Sequence, residues 1–339
     1  MQTSRELFIS ACEGRPTPRP PLWIMRQAGR YLPEYRKLKE KYGFLGIVKT
    51  PEVGVEAALQ PIRRFNLDCS IVFSDILTIP EALGFAYKFK DGGGIELPRT
   101  VKTADDARIE NPAEKVRESL GYVAENIKML RRELPDKAVF GFCGSPFTLA
   151  AYMVEGGGSK TFPKFTDFVK RAPQAFESLM DALCDAACEY AQMQLEEGID
   201  AFQIFDSNAF LIPSGQYENL SGKWNAKIFE RLGKIKKVLF TADRFPETLC
   251  TRADAYSIFT ANSLAQIRCD NAGNYALQGN LDPALLSTGT PREVARAARE
   301  IADSQKPFGR HIFNLGHGIL PDAKIENVEA LCAELGING

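Results

Sequence analysis

The 339-residue chain lacks the sequence features of several common protein classes. No run approaches 18 uninterrupted apolar residues, which excludes a transmembrane helix, and residues 1–13 lack the long apolar core of a secretory signal. No GxGxxG fingerprint opens a helix and no P-loop occurs, so two common phosphate-binding motifs are missing. We therefore expect a soluble, cytoplasmic protein that makes no membrane contact and has no dinucleotide fingerprint.

Cysteine and histidine patterns that bind metals are also scarce. The eight cysteines form no CxxC pair, and only two histidines, His311 and His317, are present. Cys184 and Cys188 lie four residues apart in a predicted helix and could share a metal, although buried structural thiols are the commoner outcome of such spacing. We expect reduced thiols and no metal site.

Charge is balanced overall but unevenly distributed. The 42 Lys and Arg residues nearly cancel the 43 Asp and Glu residues, which argues against a general nucleic-acid binder. Residues 1–64 nevertheless contain twelve basic and six acidic side chains. A basic segment in a nearly neutral protein is typical of an anion-binding site.

Short apolar runs predict eight β-strands, and most of them are apolar on both faces, as in a buried parallel sheet. The predicted strands are residues 21–26, 68–74, 138–144, 199–206, 236–241, 253–259, 274–279 and 310–316. Predicted helices span residues 113–134, 173–197 and 325–335, and two more start at Thr50-Pro51 and Thr290-Pro291.

Eight strands with helical connections predict an α/β fold, a single (β/α)₈ TIM barrel in which residues 1–339 form one domain. A doubly wound open sheet is the alternative, because little room is left for helices between residues 241 and 274. Two glycine-rich tracts interrupt the pattern. Residues 91–94 predict a hairpin tip, and residues 155–160 predict a loop that is either plain or an anion-binding nest.

Catalytic residues of such a barrel lie in the loops that follow the strands. Candidates at these positions are Arg26, Arg30, Asp75, Tyr152, Ser207 and His317. A guanidinium group is permanently charged and binds a carboxylate through two parallel hydrogen bonds. Asp75 follows an apolar run, so its carboxylate should be partly desolvated; it could cap the next segment, bind a cation or an N–H donor, or act as an acid or base.

The remaining candidates suit hydrogen bonding better than nucleophilic chemistry. His317 lies between two glycines, which allow close backbone approach to a ligand, and it could carry a proton, whereas we expect His311 to be structural. Ser207 and Asp206 are adjacent on a strand and point to opposite faces, and no GxSxG elbow surrounds them. By themselves these residues indicate a site for a carboxylated ligand with one buried acid.

Several longer segments resemble uroporphyrinogen decarboxylases. They are residues 21–35 (PLWIMRQAGRYLPEY), 73–80 (FSDILTIP), 144–159 (GSPFTLAAYMVEGGGS), 203–207 (QIFDS), 278–283 (QGNLDP) and 314–321 (NLGHGILP). They follow the order of that family and span nearly the whole chain. The resemblance implies a homodimeric (β/α)₈ barrel without metal or organic cofactor, which converts the four acetate groups of uroporphyrinogen III to methyls and so yields coproporphyrinogen III.

The resemblance also implies a substrate site, residue by residue. It would consist of Arg26, Gln27, Ala28, Gly29, Arg30, Asp75, Tyr152, Ser207 and His317. In that assignment Asp75 accepts the pyrrole N–H groups and stabilises the protonated ring. Arg26 and Arg30 bind substrate carboxylates and could take part in proton delivery, and Tyr152, Ser207 and His317 orient the remaining groups.

This chain departs from the family pattern at three places. Ser257-Ile-Phe-Thr260 replaces a usual Gly-Leu-Asp-Trp, Asn208 follows the fourth-strand serine, and Lys39 stands where some members have Arg. Two alternatives remain. Corrinoid-linked methyltransferases share the barrel but use a His-x-Cys zinc unit, which this sequence lacks. A non-catalytic tetrapyrrole-binding barrel is the other, and the changed sixth strand is its support.

Overall fold

The computed structural model of the protein describes residues 2–90 and 93–337. Its strands are β1 (Cys69–Ile71), β2 (Lys88–Phe89), β3 (Ile95–Glu96), β4 (Ala138–Gly144), β5 (Ala201–Asp206), β6 (Lys236–Thr241), β7 (Ala255–Ser257), β8 (Ala276–Gln278) and β9 (His311–Ile312). The helices before β5 are α1 (Ser4–Glu13), α2 (Pro33–Lys49), α3 (Pro51–Phe65), α4 (Thr78–Ala82), α5 (Ala104–Ala107), α6 (Pro112–Ser119), α7 (Gly121–Glu133), α8 (Pro146–Glu155), α9 (Pro163–Arg171) and α10 (Pro173–Glu196). Those after it are α11 (Lys223–Arg231), α12 (Leu264–Asp270), α13 (Pro283–Thr288), α14 (Pro291–Gln305) and α15 (Ile325–Glu334).

Seven strands form one parallel sheet whose spatial order follows the chain order, β1-β4-β5-β6-β7-β8-β9. A doubly wound sheet reverses its strand order part-way, so the open-sheet alternative is wrong. The predicted first strand lies between the two ends of this sheet. Leu22 forms a parallel bridge with Phe313 just after β9, and its carbonyl accepts the Asp68 N–H just before β1 at 3.0 Å. The predicted α/β barrel is therefore confirmed.

Residues 21–26 were expected to form a regular strand, and this prediction is wrong in detail. Side chains take the N–H groups that a strand ladder would use. The Gln27 side-chain oxygen accepts the Ile24 N–H at 3.1 Å, and the Asn314 side-chain oxygen accepts the Met25 N–H at 2.9 Å. Arg26 then adopts a left-handed backbone conformation with φ of 65°. Among the described residues, the segment keeps one isolated parallel bridge, between Leu22 and Phe313.

Helix prediction succeeded at most places. The predicted helices that start at Pro51 and Pro291, and those at 173–197 and 325–335, correspond to α3, α14, α10 and α15. Thr290 forms the expected capping box with Glu293, whereas the Thr50 side chain caps nothing. The predicted helix 113–134 is two helices, α6 and α7, because Leu120 between them leaves helical geometry. In the doubtful stretch between residues 241 and 274, the connection after β6 contains a short 3-10 turn instead of a full helix, whereas the connection after β7 contains the seven-residue helix α12.

Helix α1 covers the amino-terminal end of the barrel. Phe8 packs edge-on against Phe140 inside the barrel with ring centroids 4.8 Å apart, and the Trp23 ring lies 5.1 Å from Phe140, also between centroids. Arg5 pairs with Asp200, the residue before β5, at 2.6 Å. This end is therefore closed, and the open end is the one where the strands terminate.

The two glycine-rich tracts lie next to each other. Strands β2 and β3 are antiparallel, as the predicted hairpin requires, although residues 91 and 92 of its tip lie outside the described residues. Gly156 ends α8 with φ of 86°, and Gly157 forms an antiparallel bridge with Glu96 of β3. The 155–160 segment is thus a packed loop, which favours the plain interpretation over an anion nest.

The cysteines of the described residues are free thiols, and the described helices include none that could cross a membrane. All eight cysteines lie in the described part of the chain and are unpaired; five are buried, Cys188 and Cys250 are half-buried, and Cys269 is exposed. Cys184 donates its thiol to the Trp224 carbonyl at 3.7 Å, inside the helical layer. Across residues 2–90 and 93–337, no helix combines the length and apolar character needed to cross a membrane.

Candidate active site

Five of the predicted site residues lie at the open end of the barrel, each placed by the end of a strand. Arg26 follows the closing segment, Asp75 follows β1, Tyr152 lies on α8 directly after β4, and Ser207 follows β5. His317 lies in the loop after β9. The parallel order of the strands brings these loops to one end of the barrel, as the barrel architecture predicts.

Arg26 lies against the loop that carries His317. Its backbone is held in place by the Asn314 and Gln27 side chains described above, and the Ile319 N–H donates to the Met25 carbonyl at 2.9 Å. A Cβ atom at Gly318 would lie 2.5 Å from Arg26 Cδ. Glycine at 318 is therefore required so that the Arg26 side chain can pass over the backbone beside His317.

Asp75 sits in a tight turn in which its carboxylate has one internal donor. The Leu77 N–H donates to Asp75 Oδ1 at 2.8 Å, and the Thr78 hydroxyl donates to the Asp75 carbonyl at 2.9 Å. Burial raises the pKa of Asp75 to about 6, while the Leu77 N–H and the Arg26 charge act in the opposite direction. The group is anionic at neutral pH, and within the described residues its second carboxylate oxygen accepts no hydrogen bond from the protein.

Arg26 is the charge that connects these side chains. It lowers the pKa of Asp75, Tyr152 and His317 alike, so all three lie within its electrostatic range. Burial is nevertheless the dominant influence: it raises the pKa of the Tyr152 phenol and lowers the pKa of the His317 imidazole. At neutral pH the group therefore consists of a carboxylate, a guanidinium, a neutral phenol and a neutral imidazole.

His317 also lines a cavity of about 550 Å³ at the open end of the barrel. Its ring lies between two aromatic rings, with centroids 6.0 Å from Phe240 and 6.4 Å from Phe259. The cavity is lined by Ser207, Phe210, Ala242, Phe259, Thr260, Ala261, Asp282, Pro283 and His317. His317 thus belongs both to this cavity and to the group around Arg26.

Two predicted site residues are oriented less directly toward that group. Arg30 is exposed; its carbonyl accepts a guanidinium N–H of Arg36 at 2.8 Å, and its charge lowers the pKa of Tyr35 against the dominant effect of burial. The Gln27 side chain is buried and donates to the Cys69 carbonyl at 3.1 Å. Its role in the structure is to hold the loop, which leaves the backbone of half-buried Ala28 and Gly29 facing the rim.

The positions that depart from the family pattern have distinct surroundings. Ser257 is buried and accepts the Gln278 amide at 3.2 Å, whereas Phe259 and Thr260 line the cavity. Asn208 is buried with its N–H donated to Thr148 Oγ1 at 3.0 Å. Lys39 is exposed on α2. Only the change at residues 259 and 260 alters the wall of the cavity.

Sequence reasoning missed the part played by Asp206. This buried carboxylate at the end of β5 accepts hydrogen bonds from five side chains: Ser145, Thr148, Tyr217, Ser221 and Asn225. The network ties the start of α8 to the chain after β5, and so holds the elements that carry Tyr152 and Ser207. The sequence does contain a signal for this network: Asp206 ends one predicted strand, and Ser145 and Thr148 follow the end of the preceding one.

His311 is structural, as predicted. Its imidazole Nε2 contacts the Gly279 carbonyl at 2.7 Å, and burial lowers its pKa to about 4. The neutral ring therefore links β9 to the loop after β8, away from the ionisable groups around Arg26.

Comparison with known proteins identifies the family. The family model described as Uroporphyrinogen decarboxylase (URO-D) matches residues 3–335. The chain belongs to the uroporphyrinogen decarboxylase family. That membership confirms the resemblance in the sequence motifs and identifies the chain as an enzyme of this family.

Individual relatives cover almost all of the chain. The "Uroporphyrinogen decarboxylase" of Magnetococcus marinus is 38% identical over 97% of this chain and 95% of its own length. That of Legionella pneumophila is 39% identical over 96% and 94%, and that of Coxiella burnetii is 38% identical over 98% and 94%. A solved "methyltransferase from Methanosarcina mazei" has a TM-score of 0.82 with 18% identity and covers 99% of each chain. At that identity the likeness shows a shared fold alone.

Proposed function

We propose that this enzyme decarboxylates the four acetate side chains of uroporphyrinogen III, one after another, and releases coproporphyrinogen III. The observation that carries the proposal is Asp75, a half-buried carboxylate at the open end of the barrel whose second oxygen accepts no hydrogen bond from the described residues and which lies within the electrostatic range of Arg26. Family membership supplies the substrate class, and the cavity beside His317 supplies room next to these charges.

Recognition of the substrate requires cations and one acceptor. Uroporphyrinogen carries eight carboxylates, and its four pyrrole N–H groups can converge on one acceptor at the ring centre. Arg26 and Arg30 are exposed at the rim and form no ion pair with another described side chain, so both are available to carboxylates. Asp75 accepts the N–H groups, and Tyr152, Ser207 and His317 orient the other ring substituents.

The chemistry uses the substrate as its own electron sink. Protonation of a pyrrole carbon next to the acetate-bearing carbon turns the ring into a cation. The bond between the acetate methylene and its carboxylate then breaks, its electron pair neutralises the ring, and CO₂ leaves. A proton added to the exocyclic methylene gives the methyl, and loss of the first ring proton restores the pyrrole. Each acetate therefore consumes one proton net.

Asp75 stabilises the cationic stage of this sequence. A carboxylate already held in a desolvated turn needs little reorganisation when the positive charge develops, and its attraction is stronger there than in water. Arg26 positions the reacting acetate and is the candidate for relaying the proton, with Arg30 binding a further carboxylate.

The direct test is an anaerobic incubation of chelator-treated protein with uroporphyrinogen III. The products are oxidised and separated by their number of carboxylates. Conversion from eight to four carboxylates without additives, and its loss in Asp75→Asn, is the expected result. If the substrate binds and no species below eight appears, the enzyme assignment is overturned in favour of a tetrapyrrole carrier.

We also propose that the whole chain is one barrel domain that forms a homodimer and acts in the cytoplasm. The full-length match to a family whose resemblance implies this assembly supports the proposal. Sedimentation equilibrium at micromolar protein should give about twice the mass of the 37.6 kDa chain. A monomer at all concentrations would contradict it.

A further inference from the structure

The cavity beside His317 has a strongly uneven lining. We call Phe210, Ala242, Phe259 and Pro283 the apolar wall. Arg26 approaches His317 from the side of Gly318, whereas Phe259 approaches it edge-on with ring centroids 6.4 Å apart. A ligand that fills both regions has one edge beside a cation and another beside aromatic rings.

The charged side chains next to the apolar wall are acidic or already bound. Asp282 lines the cavity itself, and Asp243 directly follows Ala242. Arg244 is the nearest basic residue in sequence, but its guanidinium donates to the Ala209 carbonyl at 3.0 Å and to the carbonyls of two further residues. Its remaining nitrogen lies 3.8 Å from Glu247.

No cation is therefore presented at the apolar wall by the residues that line the cavity. A carboxylate placed there would lose water, would meet neutral hydroxyl donors such as Thr260 but no cation, and would face the Asp282 charge. A methyl group in the same place would gain from the removal of apolar surface from water. The wall thus discriminates between the acetate that the proposed reaction consumes and the methyl that it produces.

Phe259 is held rigidly enough to enforce this preference. The Asn280 side-chain amide donates to the Phe259 carbonyl at 3.0 Å and to the Asn262 carbonyl at 2.6 Å, which ties the loop after β7 to the loop after β8. These hydrogen bonds fix the backbone from which the Phe259 ring projects into the cavity.

We infer that the apolar wall binds the methyl-bearing edge of a partly decarboxylated porphyrinogen, with Phe259 as the residue that determines this specificity. The inference rests on the proposed function. It predicts that intermediates with fewer acetates are better substrates than uroporphyrinogen III, so that the first decarboxylation limits the overall rate and intermediates do not accumulate.

The test compares two substrates in separate assays: uroporphyrinogen III, with four acetates, and the pentacarboxylate porphyrinogen, with one. For the unmodified enzyme we expect kcat/KM to be higher for the pentacarboxylate. Phe259→Lys introduces a cation at the wall and should lower the ratio of the two kcat/KM values about tenfold, which equals ~1.4 kcal/mol. Phe259→Leu keeps the wall apolar and should leave the ratio within about twofold, on the same scale.

Equal changes of the ratio in the lysine and leucine variants, or no change in the lysine variant, would overturn the inference. Binding of the unreactive oxidised porphyrins, followed by quenching of their fluorescence, separates this result from failure of the proposed function. One outcome is that turnover is absent, four-carboxylate coproporphyrin binds more tightly than eight-carboxylate uroporphyrin, and Phe259→Lys reverses that order. This outcome would support the preference of the apolar wall for methyl groups and would contradict the proposed decarboxylation. If uroporphyrin binds more tightly to the unmodified protein, the wall assignment is wrong.

Discussion

Replacing Asp75 by Asn should make the protein more stable and, at the same time, a much slower enzyme. The native carboxylate is half-buried, and its desolvation raises its pKa from the usual 3.8 to about 6. Because the fold disfavours the charged form, ionisation of Asp75 costs stability at neutral pH. The Asn side-chain oxygen can still accept the Leu77 N–H, so the turn itself is kept.

The magnitude follows from the linkage between pKa and stability. A rise of the pKa from 3.8 to about 6 corresponds to roughly 3 kcal/mol in favour of the neutral form. Because Asp75 is only half-buried, we expect Asp75→Asn to gain about 1–2 kcal/mol after screening by solvent. The free-energy cost of ionising Asp75 in the native protein is absent below pH 4 and complete above about pH 6. The gain in stability of the Asp75→Asn variant should therefore be seen at pH 8 and vanish near pH 3.8.

The assay is denaturant unfolding of both proteins at these two pH values, combined with turnover of uroporphyrinogen III. Loss of the anion that faces the cationic ring should lower kcat by roughly 10²–10³-fold, as for other preorganised charges. A variant that is less stable than the parent at pH 8 would refute the burial argument. A variant that keeps turnover would refute the catalytic role while leaving the stability argument intact.

Three further changes test the surroundings of Asp75. In the parent enzyme, kcat/KM should decrease below about pH 6, where Asp75 becomes protonated. The His317→Gln variant should show the same decrease, because the pKa of His317 is already lowered and the decrease is due to Asp75. Gly318→Ala should displace Arg26 and reduce kcat/KM about tenfold or more, as for a lost charged hydrogen bond. The control Gly121→Ala adds a methyl group in open space and should leave kcat/KM unchanged. Equal decreases in the two variants would contradict the role of Gly318. Asp206→Ala should lower the free energy of unfolding by ~3–5 kcal/mol in a urea titration, and an unchanged midpoint with lost turnover would instead indicate a direct role.

The barrel strands differ in how far local sequence determines them. Strands β4 and β6 coincide with their predicted runs because β4 is a continuous apolar segment and β6 has an apolar core, Val238–Phe240, after two half-buried lysines, and both lie between neighbouring strands. The segment at residues 21–26 has the same apolar character, but its N–H groups are taken by Gln27 and by Asn314, which is nearly three hundred positions away in the chain. Periodicity does not register such distant partners, so the loss of the strand could not be predicted.

The candidate site shows the same division. Placing Arg26, Asp75 and His317 at one end of the barrel needs only the strand order, which the sequence pattern predicts. The pKa shifts of Asp75 and His317 depend on their burial and on the position of the Arg26 side chain, which passes over Gly318. These features can be seen only in the three-dimensional structure. The inward orientation of Gln27 follows from a hydrogen bond to the Cys69 carbonyl in the adjacent strand, and no motif spacing contains that information.

Two carboxylates at the same end of the barrel differ in how many hydrogen bonds the protein donates to them, and this difference distinguishes a structural carboxylate from a candidate catalytic one. Asp206 is fully buried and accepts hydrogen bonds from five side chains, so its oxygens have no capacity left for a ligand. Asp75 is partly exposed and accepts one, from the Leu77 N–H. Partial burial still makes the Asp75 anion costly in the free protein, as its raised pKa indicates. In the proposed reaction the pyrrole N–H groups and the ring cation supply the missing partners, so this cost before binding favours the cationic transition state over the empty site.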